Sequence, residues 1–243
     1  MIGIVLAAGA GRRLGSLTED LPKTLLAVDG DRTILDVALS NLRSAGIDEV
    51  VVVVGFASER VRERVPQLER CHGVRITLVA NDRAEDWNNA YSLWLARDAF
   101  RDGALLINGD TVHPPSVEQT LLASRGPDLV LAVDAEKPLG EEQMKVLLDG
   151  DRRVRRVTKG IDPTAAQGEY IGVTLIEPRA AAPLAAALEG TWRRDPSLYY
   201  EDGYQELIDR GGDVGSAAIG AVAWVEVDDY ADLVVARGLR CRS

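Results

Sequence analysis

The chain has 243 residues, 46% of them hydrophobic and 27% charged. That is the composition of one or two globular domains, and it excludes a disordered, collagen-like or coiled-coil main state. With 38 acidic against 28 basic residues the net charge is −10, which repels a phosphate backbone and excludes a general nucleic-acid binder. Two cysteines, Cys71 and Cys241, form no disulfide framework and no four-ligand zinc site, and they read as incidental thiols of a reducing cytoplasm.

The predicted elements alternate. Ile2 to Leu6 is a short apolar, β-branched run that ends in glycines. Arg12 and Arg13 follow this run rather than precede it, so it reads as a buried first strand and not a signal peptide. No apolar run approaches the ~18 residues of a membrane span. After a polar segment, Thr33 to Ala45 has helical apolar spacing closed by Gly46. Val50 to Val54 is the unbroken apolar run of a strand covered on both faces. Ser58 to Val65 reads as a short helix, Val74 to Val79 as a strand, Asn89 to Phe100 as a helix and Ala104 to Ile107 as a buried strand. Pro114 opens a helix to Ala123, and Leu129 to Val133 is again a strand. This alternation predicts an α/β fold in three layers, a mixed but mostly parallel sheet with helices on both faces.

Beyond Asp134 the pattern changes. Met144 to Leu148 and Val154 to Val157 form a hairpin pattern around Asp149-Gly150-Asp151. Tyr170 to Ile176 is a strand, Pro178 to Leu188 and Tyr204 to Arg210 are helices, and Val214 to Ile219 and Ala223 to Val227 are strands. Asp229 caps a last helix to about Arg237. With no linker or repeat, the expectation is one domain over 1–243 with an inserted acceptor-binding lobe at about 134–203.

Two features carry chemistry. The first is Leu6-Ala7-Ala8-Gly9-Ala10-Gly11-Arg12-Arg13-Leu14-Gly15. A glycine turn after a first strand brings backbone N–H groups close to phosphates. It is neither a P-loop, which needs Gly-Lys-Ser/Thr, nor a dinucleotide fingerprint, whose third glycine is replaced by Leu14. Pro22-Lys23-Thr24-Leu25 adds a second cation at the strand's C-terminal end, where open α/β sheets bind ligands. The second feature is a pair of strand-end acids, Asp110 after Leu105-Leu106-Ile107-Asn108-Gly109 and Asp228 after Trp224-Val225-Glu226-Val227. Two such carboxylates beside a nucleotide loop suit Mg²⁺, which takes few carboxylates plus phosphate oxygens and waters.

Residues 6–14 and 22–25 carry the pattern Leu-Ala-Ala-Gly-x-Gly-x-Arg-Leu followed by Pro-Lys-x-Leu. In this the chain resembles the nucleotidyltransferases that make nucleoside-diphosphate sugars and CDP-alcohols. The resemblance implies a Rossmann-like sheet of nucleotide-diphospho-sugar transferase type. It implies nucleotide contacts from Leu6, Ala7, Ala8, Gly9, Gly11, Arg13, Asn81, Asn88 and Gly109. Arg13 is expected to hold the leaving phosphates, and Lys23 to bridge the α-phosphate and the acceptor. Asp110 and Asp228 are expected to bind Mg²⁺, with Glu226 and Asp229 ranked lower. Alternation places Glu226 on the face of Asp228, but a solvated rim is its expected place.

Asn88-Asn89-Ala90-Tyr91-Ser92-Leu93, Gln143-Met144-Lys145-Val146, Lys159-Gly160, Gly168-Glu169-Tyr170-Ile171-Gly172 and Tyr199-Tyr200-Glu201-Asp202 resemble the cytidylyltransferase branch that activates phosphocholine, inositol 1-phosphate or phosphonates. Gln143 departs from that branch's Glu. The reaction this implies is CMP transfer from CTP to a small phosphate or phosphonate, with release of pyrophosphate. Acceptor contacts are expected from Lys145, Lys159, Glu169, Tyr200, Glu201 and Asp202, with Trp192, Tyr199 and Tyr200 offering aromatic faces to an ammonium group. The alternatives are a sugar-1-phosphate nucleotidyltransferase using UTP, dTTP or GTP, and a nucleotide-binding regulator without turnover. A cytoplasmic monomer or homodimer, free of membrane and nucleic acid, completes the expectation.

Overall fold

The apolar run at the start of the chain forms β1 (Ile2–Ala7) in the middle of the main sheet. Val5 and Ala7 face one helical layer while Ile4 faces the other, as strand alternation requires. The computed structural model describes residues 1–239. Cys241 lies outside the described residues, and Cys71 is an exposed free thiol.

On one side β1 pairs in parallel with β4 (Glu49–Val54), and β4 with β5 (Arg75–Ala80). On the other side β1 pairs in parallel with β6 (Ala104–Asn108). Between these strands lie β2 (Ala27–Asp29), β3 (Arg32–Thr33), α1 (Ile34–Ser44), α2 (Ser58–His72) and α3 (Asn89–Leu95). The order then continues through β11 (Gly168–Ile176) to β8 (Leu129–Asp134) and β12 (Val214–Ala218). β11 runs antiparallel to both β6 and β8, and β12 is parallel to β8. The sheet is therefore mixed and mostly parallel, as the alternation predicted.

α1, α2 and α4 (Ser116–Ala123) supply one apolar layer through Leu35, Leu39, Val61, Leu68, Val117 and Leu121. The opposite layer is built by α3, α5 (Ala181–Arg194) and α6 (Tyr200–Asp209) through Leu93, Leu184, Leu188, Tyr204 and Leu207. A smaller, separate core joins α1 and the short strands to α7 (Tyr230–Gly238). There α7 packs Leu233 and Ala236 onto Leu26, Val28 and Val37. Asp229 caps α7 by accepting from the Ala231 and Asp232 amides at 2.8 and 3.0 Å.

The segment 134–203 does not form a separate lobe. The predicted hairpin exists as β9 (Lys145–Leu148) and β10 (Val154–Thr158). It branches from the N-terminal end of β11 through Gly168 and Glu169. The rest of β11 is a central, fully buried strand of the main sheet. The apolar content of Tyr170 to Ile176 serves the core, and the hairpin joins the same core through Val146, Val154 and Val157.

α2 also departs from the expectation of a helix ending at Val65, since it runs through Pro66 to His72. A proline inside a helix costs ~3 kcal/mol. Here burial of Leu68, 1% exposed, and a 2.8 Å bond from His72 Nε2 to Asp36 Oδ1 hold the last turns in place. Among the described residues no helix is long and apolar enough to cross a membrane.

Candidate active site

β1 and β6 end side by side, with Leu6 opposite Asn108. The chain leaves both strands into a cleft of about 460 Å³ at the carboxyl end of the sheet. Leu6, Ala8, Gly9 and Arg13 line it from the first loop, and Gly9 presents bare backbone to open space. Gly11 explains the spacing to the Pro-Lys pair. It adopts φ 61°, and a Cβ there would stand 3.0 Å from Lys23 Cβ. The glycine loop is thus folded directly over Lys23.

Gly109 donates to the Leu6 carbonyl at 2.9 Å, and a Cβ on it would lie 2.3 Å from that oxygen. Only glycine fits where the chain turns against β1 to project Asp110. The next residues form β7 (Thr111–Val112), which pairs with β13 (Val225–Glu226), and the Val227 amide donates to the Asp110 carbonyl at 2.9 Å. Two short strands 114 positions apart in sequence therefore set Asp110 and Asp228 together.

Lys23 Nζ stands between them, 2.8 Å from Asp110 Oδ2 and 3.1 Å from Asp228 Oδ1, and Arg13 reaches Asp228 Oδ2 at 2.7 Å. Burial alone would lower the Lys23 ammonium pKa, but the two carboxylates outweigh it and hold the pKa above its ordinary value. Burial likewise raises Asp228, and Lys23 and Arg13 outweigh that to hold its carboxyl below the usual range.

Glu226 completes a group in which one carboxylate oxygen each of Asp110, Glu226 and Asp228 lie within 4.8 Å of one another. It opens to the cleft, yet protein crowds its carboxyl, and that desolvation together with the charges of Asp110 and Asp228 pushes it up to about 8. Glu226 is exposed, in keeping with its expected place on a solvated rim, and the β7–β13 pairing also brings it beside Asp110 and Asp228. Asp110 Oδ1 is buried with no hydrogen-bond partner. An orphaned carboxylate oxygen among three hard oxygen donors fits a divalent cation of the Mg²⁺ type.

The sequence-predicted nucleotide residues divide. Leu6, Ala8, Gly9, Arg13 and Asn88 line the cleft. Ala7 points into the core, and Gly11 and Gly109 shape the backbone beneath. Asn81 is a buried brace, donating to Ser92 Oγ at 2.8 Å and accepting from the Arg83 amide. Asn88 caps α3 and donates to the Ser197 carbonyl, while Asn89 accepts from the Tyr200 amide at 2.9 Å. The two asparagines tie α3 to the start of α6.

Of the residues expected at the acceptor, Lys159, Glu169 and Glu201 line the cleft. Lys145 does not. It is fully buried and donates to the carbonyls of Gly140, Glu141 and Gln143 at 3.0, 2.7 and 3.2 Å. Tyr200 is buried and donates to Asn108 Oδ1 at 2.9 Å, so it braces the cleft wall. Asp202 closes the capping box of α6 by accepting from the Tyr199 amide. Trp192 packs with Trp87, Tyr91 and Trp94 instead of facing an acceptor.

Burial pushes Glu201 up to about 8. Burial also raises Glu169, aided by Asp134 and opposed by Lys137. Asn108, Lys137, Gly172 and Trp224 also stand on the cleft wall, and the sequence assigns them no role of their own. Asn108 was findable as the residue preceding Gly109-Asp110. Lys137 had no motif to mark it.

A loop of bare backbone over a lysine, with an arginine and three converging carboxylates beside it, is a machine for holding and polarising phosphates. A model of the MobA-like NTP transferase domain matches residues 3–202. Across 235 residues the chain is 33% identical to a CMP-5'-(3-aminopropyl)phosphonate synthase of Streptomyces rubellomurinus, covering 94% of this chain and 37% of that protein. A choline-phosphate cytidylyltransferase of Streptococcus pneumoniae is 37% identical over 106 residues, 44% of this chain and 43% of that protein. The alignments thus span well under half the length of these two curated relatives. The solved structure of the inositol-1-phosphate CTP transferase from T. maritima superposes with a TM-score of 0.82 at 25% identity, covering 97% of this chain and 94% of that one. Motif, site geometry and family match converge, and the chain belongs to the MobA-like NTP transferase family.

Proposed function

We propose that this chain is a cytidylyltransferase. It transfers CMP from CTP to a small phosphate or phosphonate and releases pyrophosphate, with Mg²⁺ held by Asp110 and Asp228 and assisted by Glu226. The observation that carries the reading is Lys23 Nζ between Asp110 and Asp228 beneath the glycine loop, in a cleft that continues to Glu169 and Glu201. The choice of CTP rests on the relatives and the solved neighbour, whose names specify cytidylyl chemistry. The two incidental cysteines keep a cytoplasmic site of action within the proposal.

The chemistry follows from charge. A phosphate or phosphonate oxygen of the acceptor forms a bond to the α-phosphorus, the bond from that phosphorus to the β-phosphate bridging oxygen breaks, and pyrophosphate leaves with the electron pair. The nucleophile is already an anion, so no general base is required. Lys23 neutralises charge between acceptor and α-phosphate, Arg13 that of the leaving phosphates, and the backbone of Ala8 to Gly11 supplies N–H donors. Mg²⁺, when bound, adds Lewis-acid neutralisation of phosphate oxygens. The residues contribute positioning and electrostatic stabilisation.

The test is pyrophosphate release with CTP, UTP, dTTP, GTP and ATP crossed with phosphocholine, phosphoethanolamine, 2-aminoethylphosphonate, inositol 1-phosphate and glucose 1-phosphate. Turnover confined to CTP, stopped by chelation and restored by Mg²⁺, is expected. Turnover confined to glucose 1-phosphate with UTP or dTTP would overturn the cytidylyl reading.

A further inference from the structure

We propose that the outer face of α7 is a dimerisation surface, on which a second copy of this chain lays its own α7 antiparallel about a two-fold axis through Val234. The helix wears an apolar surface outward. Leu233 and Ala236 are fully buried in the small core beneath it. With about 3.6 residues per turn, Tyr230, Ala231, Val234, Val235 and Gly238 share the opposite face, with Arg237 at its margin, and all six are exposed. The solvent face of a surface helix ordinarily carries charged and polar side chains. Here Tyr230, Val234 and Val235 are 62%, 52% and 51% exposed, three of the five large hydrophobic side chains exposed among the described residues. Apolar residues scattered singly over a surface are ordinary, whereas a contiguous patch marks an interaction site. The four residues after Leu239 are Arg, Cys, Arg and Ser, with no large apolar side chain to lay over it.

The stripe complements itself, which is why a second copy is the partner that fits. Under a two-fold axis through Val234, that side chain meets its own copy. Tyr230, four positions before it, comes opposite Gly238, four positions after it. The bulkiest side chain of the face then lies over its one bare backbone, and a Cβ on Gly238 meets nothing within 4 Å in the single chain. Charge agrees with the same arrangement. The start of α7 carries Asp229 and Asp232, and its last turn carries Arg237. Antiparallel helices set the acidic start of one beside the basic end of the other, with their dipoles opposed. A parallel pairing would set like charge on like. Arg237 Nε donates to the Ala27 carbonyl at 3.2 Å, which steadies that cation beside the stripe. One helix of nine residues is a small contact, so the dimer is of the weak, concentration-dependent kind.

The test is sedimentation velocity of the intact chain over micromolar to sub-millimolar concentrations, with reductant present so that Cys71 and Cys241 form no covalent dimer. The wild-type chain is expected to pass reversibly from monomer to dimer as concentration rises. Val234→Glu sets two carboxylates face to face at the axis and should weaken the dimer by about 100-fold. Gly238→Leu fills the place of the opposing Tyr230 ring and should weaken it by about 10-fold. Both positions are exposed in the single chain, so the circular dichroism and urea midpoints of these variants should stay near wild type. An equimolar mixture of Val234→Glu and Val234→Lys should regain association, because position 234 meets itself across the axis. A chain that stays monomeric at every concentration, a dimer whose affinity neither variant changes, or a mixture no better than its parts overturns the inference. No nucleotide or acceptor enters these measurements, so their outcome is independent of the cytidylyl reading.

Discussion

The two ends of the cleft are assembled by different means. At the phosphate end, the loop after β1, the Pro22-Lys23 turn and the residues after β6 each carry their chemistry in a few consecutive positions, and Gly11 and Gly109 hold those segments against one another. At the acceptor end, Lys137, Lys159, Glu169, Tyr199 and Glu201 come from scattered segments, and the lysines there are already engaged with carboxylates or aromatic rings. In the proposed reaction the first end is the phosphate clamp, the part any nucleoside triphosphate reaction of this type needs. In the same proposal the second is the surface that faces the acceptor. The proposal thus gives chemistry and specificity to separable parts of one cavity.

The sharpest way to break that division is to remove the clamp's charge. Lys23→Met removes the cation between Asp110 and Asp228 and leaves only Arg13 on Asp228, and Asp110→Asn removes the negative charge of the first carboxylate. Each is expected to lower kcat by roughly 10³-fold, the scale of losing a charge contact made in the transition state, across every acceptor tested. Steady-state kinetics with two unrelated acceptors decides the matter. A loss confined to one acceptor would place Lys23 in recognition instead of the clamp.

This division also explains what was legible in the sequence. The parallel sheet, the glycine loop, Lys23, Asp110 and Asp228 were readable because strand periodicity and short motifs are local properties of the chain. The closeness of Glu226 to Asp110 depends on β13 pairing with β7, which sets Glu226 opposite Thr111, a contact no local pattern shows. Trp192, Tyr200 and Lys145 have the right chemistry for an acceptor site and were assigned to it. Only packing reveals that Trp192 joins an aromatic cluster, that Tyr200 braces Asn108 and that Lys145 ties a turn. The same tertiary override carries α2 through Pro66.

Lys145 sharpens the comparison further. Its ammonium satisfies three carbonyls of the turn that carries Glu142 and Gln143 to the cleft. Lys145→Met should therefore destabilise the protein by about 1.5–3 kcal/mol, the scale of losing hydrogen bonds made by a charged group. It should raise the acceptor KM while leaving the CTP KM near its wild-type value. Urea unfolding with parallel kinetics checks both. Unchanged stability with a collapse of kcat would instead put Lys145 on the acceptor phosphate.

The scaffold behind the clamp should respond to pH through Asp36. This carboxylate accepts from the Thr33 amide at 2.9 Å and hydroxyl at 2.6 Å, closes the capping box of α1 and bonds His72 at the end of α2. Burial works against the charged form, but the bonds to His72 and Thr33 outweigh it and lower the carboxyl from 3.8 to about 2. A carboxyl that titrates lower in the folded than in the unfolded chain stabilises fully above about pH 4, and that contribution is lost as pH falls through about 2. Asp36→Asn is accordingly expected to cost ~2 kcal/mol at pH 6, with the gap to wild type closing near pH 2. Urea midpoints measured from pH 6 downward test this. A gap that stays constant with pH would mean that Asp36 acts through shape and hydrogen bonding alone, and that the α1–α2 pair behind the phosphate clamp is held without its charge.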